Sequence, residues 1–569
     1  MTVFTEITIL VAVAVLVSAL MRLLRQPLLI GYIITGLLVG PLFFNVIRSP
    51  ETLGVFSEIG IALLLFIVGL NLTPQSIKEF GKAAFITGLG QIVFTFTIGM
   101  AICLALGFSP AVSAYLAIAL ALSSTILILK LLSDRGDMDK LYGRLSIGFL
   151  LVQDLAAVII LFFLPLFSRP QTSDLYAFFA VVKAVVAVAG VFLIAYKVLP
   201  RLNRFLAKSS ELLFLFSLAW GLGLSAIFRA AGFSLETGAL IAGITLSILP
   251  SHDEIHARLR PLRDFFIVIF FIMLGAGIGG DGIRELLLPA VLLSVFVLVG
   301  NPLIMLIFMG YLGFRKKTAF QTGLTTAQIS EFSLVLVALG LRLGHLRPEI
   351  VALTTIVGII TIFGSTYLIM HSDALYSRLA RFLAIFERRE IREQPTPRGK
   401  PSELVLFGAN RIGYDFLNAF AKLKKPFLVV DYDPETVEFL ASQGIRTEYG
   451  DAGDIEFLRL LPLRGILLAV STIPDLGTNL LILKAVKKQS PRAMVITVAH
   501  SIADALALYA RGAHYVVMPH FLGGKYASVL VEDMGFRPRQ FQHMRQKHIA
   551  YLHDRLQKGH EHPLPEKWR

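Results

Sequence analysis

Charged residues and cysteine are both scarce in this sequence of 569 residues. Charged side chains make up 16% of it, against about 25% in soluble domains, while 55% of residues are hydrophobic and the mean hydropathy is +0.72. This composition indicates a polytopic membrane protein with room for a soluble domain. The single cysteine, Cys103, lies in an apolar run, which excludes an intrachain disulfide and a cysteine metal cluster.

Several functional signatures are also missing. No nucleophile–base pair and no metal cluster supports an enzyme, and no Thr-Val-Gly-Tyr-Gly-like filter supports a potassium channel. The formal net charge of +14 would suggest nucleic acid in a soluble protein. Here the basic residues fall mainly in short loops and after the last apolar run, so membrane topology and anionic lipid explain them and no nucleic-acid partner is expected.

Apolar stretches near the roughly 20 residues needed to cross a bilayer recur as far as residue 370. We count thirteen: 5–24, 27–46, 52–72, 83–106, 110–132, 145–167, 174–197, 210–230, 234–250, 264–280, 287–311, 319–340 and 350–370. With the N-terminus outside, eighteen basic loop residues face the cytoplasm and six face the opposite side. This bias predicts a multi-pass membrane protein with a cytoplasmic C-terminal domain. We expect the membrane to be a bacterial inner membrane.

Asp154 is a carboxylate inside a membrane-crossing apolar run, where it costs about 2.5–3.5 kcal/mol on insertion scales. Such a charge is typical of a site at membrane depth that binds a proton or a metal cation; a structural carboxylate bonded to a neighbouring helix is the alternative. Gln153 places a neutral amide beside it. A lone carboxylate that binds one proton or one monovalent cation suggests electroneutral exchange.

Two hydroxyl-rich stretches interrupt other apolar runs, residues 121–125 (Ala-Leu-Ser-Ser-Thr) and 325–331 (Thr-Thr-Ala-Gln-Ile-Ser-Glu). Transporter helices unwind at such places and free backbone carbonyls for an ion, although Ser and Thr also bond to their own helix or to neighbouring helices. The two stretches occupy roughly equivalent positions in two halves of the chain, as an inverted repeat requires. The candidate ion ligands they contribute are Ser123, Ser124, Thr125, Gln328 and Glu331.

The sequence changes character after residue 371. We predict a transmembrane domain over 1–371, a semi-rigid linker over 372–402 that contains three prolines, a soluble domain over 403–520 and a tail of peripheral helix and disorder over 521–569. In the soluble domain, strand candidates at 403–407, 427–431, 447–451, 465–470 and 493–498 alternate with helical runs. This alternation predicts an α/β Rossmann-like domain with a parallel sheet.

The soluble domain also carries an incomplete dinucleotide fingerprint. In Gly408-x-Asn410-x-x-Gly413, asparagine replaces the middle glycine, between a strand and a helix. The helix N-terminus offers N–H donors to phosphate, and Asp431, which ends the next strand candidate, can accept from ribose hydroxyls. A mononucleotide, a dinucleotide and a fold without ligand all stay open. Further candidate contacts are Arg411 to phosphate and Asp451 beside adenine.

These motifs resemble the Kef-type branch of the monovalent cation:proton antiporters, over about residues 1–520. The resemblance rests on residues 121–125, Gln153-Asp154, residues 328–332 (where the family usually has glycine at the serine) and a C-terminal RCK domain, the regulator of potassium conductance. It implies a homodimer whose protomers have thirteen helices, inverted repeats and two crossed, broken helices. It also implies that Asp154 is the cation- and proton-binding carboxylate and that the RCK domain binds an adenine nucleotide, AMP or NAD(H). Some members bind glutathione or its adducts.

The expected function is therefore potassium/proton antiport, with potassium efflux gated by nucleotide at the RCK domain. The transported partners are potassium and protons, and the surroundings are a lipid bilayer. A sodium/proton antiporter on the same fold and a ligand-gated potassium channel are the alternatives. Gln153, in place of a second acid, favours potassium over sodium.

Overall fold

The computed structural model describes residues 2–71, 82–138, 140–164, 189–193, 195, 197–202, 206, 209–231, 233–278, 283–386, 402–409, 412–535 and 537–557. The chain divides into two compact units. The first contains Met1–Leu312 and Lys316–Glu387, and the second contains Gly313–Arg315 and Arg388–Arg569.

All the regular secondary structure that is described in the first unit is helical, which suits lipid because a helix satisfies its own backbone hydrogen bonds. Its helices are α1 (Val3–Leu23), α2 (Leu28–Val39), α3 (Pro50–Asn71), α4 (Lys82–Ala105), α5 (Pro110–Ala121), α6 (Thr125–Arg135), α7 (Leu141–Phe163), α8 (Ser210–Ala230), α9 (Leu235–Leu246), α10 (His252–Ala276), α11 (Ile283–Val295), a π-helical turn (Phe296–Gly300), α12 (Asn301–Tyr311), α13 (Lys316–Leu324), α14 (Glu331–Arg342), α15 (Pro348–Met370) and α16 (Ser372–Leu383).

The lengths and apolar character of the helices confirm that this is a polytopic membrane protein. Among the described residues, eight helices are long and apolar enough to cross a bilayer when the two parts of an interrupted helix are taken together, and α2 and α9 are shorter apolar helices. Each predicted span contains a helix of the structure, except 174–197, which lies mostly outside the described residues. The count of thirteen therefore stays a prediction.

Serine residues at helix starts explain several of the boundaries. Ser109, Ser209 and Ser234 each accept a backbone N–H of the first turn through the side chain, at the N-termini of α5, α8 and α9. A serine oxygen satisfies a donor that otherwise has no partner at a helix start. In α5, Pro110 follows the cap, where its missing N–H costs nothing.

Two boundaries differ from the sequence-based prediction. α10 begins at His252, twelve residues before the predicted span 264–280, because a charged helical extension with an i,i+4 pair between Arg258 and Glu254 precedes the apolar part. The predicted linker 372–402 begins instead with α16, an amphipathic helix that belongs to the first unit. Its proline-containing part lies outside the described residues.

Glycine lets pairs of helices approach until their backbones touch. A Cβ on Gly36 of α2 would lie 1.9 Å from the carbonyl oxygen of Ile272 in α10, and a Cβ on Gly275 would lie 2.0 Å from that of Ile33. A Cβ on Gly243 in α9 would likewise lie 2.0 Å from a backbone oxygen of α3. Packing through small residues is the usual way in which helices associate in lipid, where no hydrophobic effect drives them together.

The second unit contains a six-stranded parallel sheet of order β3-β2-β1-β4-β5-β6. Its strands are β1 (Leu404–Phe407), β2 (Phe427–Asp431), β3 (Thr447–Tyr449), β4 (Leu468–Ser471), β5 (Met494–Val498) and β6 (Tyr515–Val517). Its helices are α17 (Ile412–Leu423), α18 (Pro434–Ser442), α19 (Ile455–Leu460), α20 (Leu476–Gln489), α21 (Ile502–Ala510), α22 (Pro519–Met534) and α23 (Pro538–Gln557). This order, which reverses direction between β1 and β4, confirms the predicted Rossmann-like domain.

Both faces of the central strand are buried. In β1, Leu404 and Leu406 pack with Phe420 of α17, whereas Val405 and Phe407 pack in the core on the opposite face. A strand covered on both sides reads as a continuous apolar run, which is why β1 was recognisable. β6 was not predicted. In the tail, where helix and disorder are predicted, the structure has α22 and α23, and residues 558–569 lie outside the described residues.

Candidate functional site

The first hydroxyl-rich stretch breaks a membrane helix in two. α5 ends at Ala121, Leu122 is extended, and α6 begins at Thr125. Ser124 caps α6, because its side chain accepts the N–H of Leu127 at 3.3 Å. The break therefore exposes the carbonyl end of one half-helix and the N–H end of the other, as an ion site in a transporter requires.

The second stretch breaks another helix. α13 ends at Leu324 and α14 begins at Glu331, with residues 325–330 between them outside any α-helix. Ser330 caps α14 in a capping box with Ser333. Glu331 is buried in the first turn of α14, where the helix dipole favours negative charge.

The two breaks meet. The Ser333 hydroxyl donates to the carbonyl oxygen of Ala119 at 2.6 Å, and the Gln328 amide donates to that of Ser124 at 3.5 Å. Gln328 also accepts the hydroxyl of Ser365 from α15 at 2.5 Å. The structure thus brings the predicted residues of both stretches to one place, although they lie about two hundred positions apart.

Asp154 lies in the middle of the buried stripe of α7. Leu150, Ala157 and Leu161 share its face of the helix and are fully or almost fully buried, whereas Ile159 on the opposite face is 48% exposed. Asp154 is nevertheless only partly buried. Asp154 therefore keeps some accessible surface beside residues of the same helix face that are buried.

The surroundings of Asp154 supply oxygen atoms. Its carboxylate lies close to Thr125 and Glu331, so it is not a lone carboxylate. Among the residues that the structure describes, no lysine or arginine forms an ion pair with it. The side-chain oxygens of Ser123 and Thr125 are buried without a hydrogen-bond partner in the described chain. Carboxylate and hydroxyl oxygens of this kind can replace the hydration shell of a monovalent cation.

Gln153 points away from this group. Its side chain is 1% exposed, its oxygen accepts the backbone N–H of Ser123 at 3.2 Å, and its amide donates to Gln91 of α4. In this structure Gln153 therefore supports the first break instead of offering an oxygen to the ion, and its predicted role as a ligand stays a prediction.

Sequence reasoning missed three buried polar residues beside this site. Gln91, Thr95 and Asn301 are each fully buried and hydrogen-bonded to one another in series. The signal was present, because Gln91 and Thr95 stand four residues apart in one apolar run and Asn301 lies inside another. Burying a polar group in a membrane helix costs free energy unless the group has a partner, so such residues are candidates for a functional role.

A cluster of ion pairs joins four helices near the predicted outer ends. Glu58 of α3 lies 3.3 Å from Arg342 of α14 and 3.6 Å from Arg229 of α8. The same Arg342 lies 2.7 Å from Glu236 of α9. These partners account for the charged residues of this region without a role in binding ions.

Asp137, between α6 and α7, anchors the opposite end of the first broken helix. It is almost fully buried and lies 2.7 Å from Arg135 and 2.6 Å from Lys140, and Tyr142 donates to it. Arg135 also donates to the carbonyl oxygen of Ile369 at the end of α15. Burial alone would raise the pKa of the Asp137 carboxyl, but the hydrogen bonds from Lys140, Tyr142 and Arg135 outweigh it and hold the pKa below its usual range.

We expect Asp137→Asn to lower the stability of the purified protein at neutral pH by about 2 kcal/mol, because the variant removes the buried charged acceptor that Arg135, Lys140 and Tyr142 share. Since the pKa of Asp137 is lower in the folded than in the unfolded state, its contribution is complete above about pH 5 and is lost as the pH falls below about 4. The difference in melting temperature between wild type and variant should therefore shrink in acid. A difference that does not change with pH would contradict this account.

The nucleotide fingerprint folds into a tight turn after β1. Gly408 has a positive φ of 84°, and a Cβ on Gly413 would lie 2.1 Å from the carbonyl oxygen of Gly408. Both glycines are therefore required by backbone geometry. Thr472, which follows β4 and was not predicted, donates its hydroxyl to the Gly408 oxygen at 2.9 Å. Asn410 and Arg411 lie outside the described residues.

Asp431 is the last residue of β2 and Asp451 comes two residues after β3, so both lie at the edge of the sheet where Rossmann-like domains bind ligands. Asp431 is buried, and its two carboxylate oxygens accept the N–H groups of Ala409 at 2.8 Å and Asp433 at 2.9 Å. Asp451 accepts the N–H of Gly453 at 2.7 Å. Asp431 thus connects the turn after β1 to the end of β2, a structural task that the sequence did not reveal.

A family described as "Sodium/hydrogen exchanger, transmembrane" matches residues 9–370 of this chain. The chain belongs to the sodium/hydrogen exchanger family. A TrkA-N domain matches residues 404–519, which agrees with the Rossmann-like sheet found there. The predicted combination of a membrane exchanger with a C-terminal RCK-type domain is confirmed.

The relatives confirm the Kef-type resemblance. "K(+) efflux antiporter 1, chloroplastic" of Arabidopsis thaliana is 26% identical over 533 residues, which cover 90% of this chain and 44% of the relative. "Glutathione-regulated potassium-efflux system protein KefC" of Escherichia coli (strain K12) is 26% identical over 515 residues, which cover 90% of this chain and 82% of the relative. The chain thus spans less than half the length of the chloroplastic relative. These relatives are antiporters and not enzymes.

One solved structure resembles the membrane unit in fold. The sodium proton antiporter MjNhaP1 from Methanocaldococcus jannaschii superposes with a TM-score of 0.50 at 17% sequence identity, and the match covers 67% of this chain and 97% of that chain. At this identity the likeness establishes the fold alone.

Proposed function

We propose that this protein exchanges potassium for protons across a bacterial inner membrane, with Asp154 as the group that binds either ion. The observation that carries the proposal is a partly accessible carboxylate on a buried helix face, beside two broken helices and the unpartnered oxygens of Ser123 and Thr125. A cation and a proton compete for the same carboxylate. Competition at one site that opens to each side in turn is sufficient for exchange.

Potassium is favoured over sodium by two observations. Both relatives are named for potassium efflux, and the residue beside Asp154 is a neutral glutamine instead of a second acid. Sodium is the second candidate, because the family description is sodium/hydrogen exchanger and the fold is that of a sodium proton antiporter. The two candidates differ in one measurable quantity, the cation that drives proton movement.

We infer that the C-terminal domain binds an adenine nucleotide, AMP or NAD(H), and that this ligand gates exchange. The tight turn at Gly408 and Gly413, and Asp431 and Asp451 at the same sheet edge, support a nucleotide site. A ligand biases transport only if it binds the two transport states with different affinity. The outside N-terminus, the homodimer and a glutathione-type regulator, which the KefC name suggests, belong to the same proposal.

The test is proton flux in proteoliposomes that contain the purified full-length protein and an imposed pH gradient. We expect added KCl to dissipate the gradient, NaCl to dissipate it more slowly and choline chloride to leave it unchanged. Because the domain is proposed to gate exchange, AMP or NADH should change the potassium-dependent rate, whereas ATP serves as the comparison. Protein-free liposomes are the control.

Each alternative predicts a different outcome of this assay. Faster dissipation with NaCl than with KCl would assign the protein to sodium/proton exchange. Potassium currents above transporter turnover in a planar bilayer, without coupled proton movement, would indicate a channel. An identical rate with and without every nucleotide would remove the gating part of the proposal and leave the exchange part intact.

A further inference from the structure

A continuous series of hydrogen bonds connects side chains of three helices, α4, α7 and α12, to the ion site. The Ser123 N–H donates to Gln153, the Gln153 amide donates to Gln91, the Gln91 amide donates to Thr95 at 3.1 Å, and the Thr95 hydroxyl donates to Asn301 at 3.1 Å. Each of these four side chains is buried. We call them the polar relay: Gln91, Thr95, Gln153 and Asn301.

The relay ends on the backbone of both broken helices. The Asn301 amide donates to the carbonyl oxygen of Leu120 at 3.0 Å and to that of Thr326 at 3.4 Å. Leu120 lies in the last turn of α5, where carbonyl groups have no partner within the helix. Asn301 itself follows the π-helical turn and begins α12. One side chain therefore holds the two breaks at a defined separation.

The direction of every bond in the relay is determined. A backbone N–H can only donate, so the oxygen of Gln153 must face Ser123, and the two carbonyl oxygens at the other end can only accept from the Asn301 amide. Between these ends, only one orientation of each side-chain amide and of the Thr95 hydroxyl pairs every donor with an acceptor. Reversing any one group would bring two donors or two acceptors together.

This directionality divides the polar groups near Asp154 into two sets. The relay commits the oxygen of Gln153 and the carbonyls of Leu120 and Thr326 to hydrogen bonds. The side-chain oxygens of Ser123 and Thr125 are left for the ion. The number and spacing of the available oxygens decide which cation a site prefers.

We propose that Gln91, Thr95 and Asn301 are positioning residues that determine cation affinity and selectivity by fixing Gln153 and the two helix breaks. This inference rests on the proposed exchange at Asp154. None of the three residues needs to contact the ion, because they act through the oxygen atoms that they withdraw or leave available.

Thr95 offers the sharpest test, because valine has nearly the same shape and lacks the hydroxyl. Thr95→Val leaves the Gln91 amide without an acceptor and Asn301 without a donor, so we expect the KM for potassium-dependent proton flux to rise about tenfold and the ratio of the KM values for potassium and sodium to change. Thr95→Ser keeps the hydroxyl and should behave like wild type. Thr97→Val is the matched control, because Thr97 is exposed on the same helix and bonds only within it.

The outcomes separate this proposal from a purely structural role. A lower melting temperature in Thr95→Val with unchanged KM values and unchanged selectivity would overturn it, as would equal effects of Thr95→Val and Thr97→Val. Failure of Thr95→Ser to restore selectivity would also contradict it.

A second readout does not need transport, because a bound cation raises the melting temperature of the folded protein. If potassium stabilises the wild type but the wild type exchanges no ions, the proposed function fails. The positioning role is then tested by Thr95→Val, which must weaken the stabilisation by potassium. A wild type that shows neither response has no cation site, which overturns both proposals.

Discussion

Asp154→Asn abolishes cation-dependent proton movement in proteoliposomes, at any potassium concentration. Asparagine has nearly the same size as aspartate, but it binds no proton and gives a cation no charge. The charge of Glu331 stays in the site, yet Glu331 begins another helix and is stabilised there by the helix dipole and by Ser330. We therefore expect no detectable exchange, measured by dequenching of a pH-sensitive dye on addition of KCl.

The matched control is Asp134→Asn, the same substitution at an exposed position of α6. It should exchange at the wild-type rate. Both variants should elute as the wild type does in size-exclusion chromatography, since neither removes packing volume. Potassium-driven proton movement that persists in a folded Asp154→Asn protein would remove Asp154 from the mechanism and direct attention to Glu331.

Gly275→Ala prevents α2 and α10 from packing as they do in the native fold. The added Cβ would lie 2.0 Å from the carbonyl oxygen of Ile33, a backbone atom that cannot move without its helix. Forced overpacking usually costs about 1–3 kcal/mol, and we expect at least the upper part of this range, because two helix backbones must separate. The measurement is the melting temperature of the detergent-solubilised protein, which we expect to fall, with less monodisperse protein recovered.

Gly223→Ala in α8 is the corresponding control, because a Cβ at Gly223 would meet nothing within 4 Å. Alanine favours helix over glycine by about 1 kcal/mol, so this variant should be as stable as the wild type or slightly more stable. Equal melting temperatures for the two variants would show that the α2–α10 contact does not limit stability.

The sequence by itself determined the parts of this protein that depend on local pattern. Apolar runs of membrane-crossing length predicted the helices, because a bilayer accepts only segments that satisfy their own backbone. Short apolar runs that alternate with helical runs predicted five of the six strands. Asp154 and the stretches at 121–125 and 325–331 were recognisable for the same reason, since polar groups in an otherwise apolar run are expensive and are retained where they have partners or a ligand.

Only the tertiary structure decided how these groups are used. Gln153 stands next to Asp154 in sequence, yet successive helix positions point about 100° apart, so one side chain faces the ion site and the other faces Gln91. The partners of Gln153 come from α4 and from the break between α5 and α6, and no spacing within one helix reveals them. In the same way, Asp431 uses both carboxylate oxygens on backbone N–H groups that the fold brings to it. Hydrogen-bond direction depends on which groups meet across helices and strands, and the fold alone decides that.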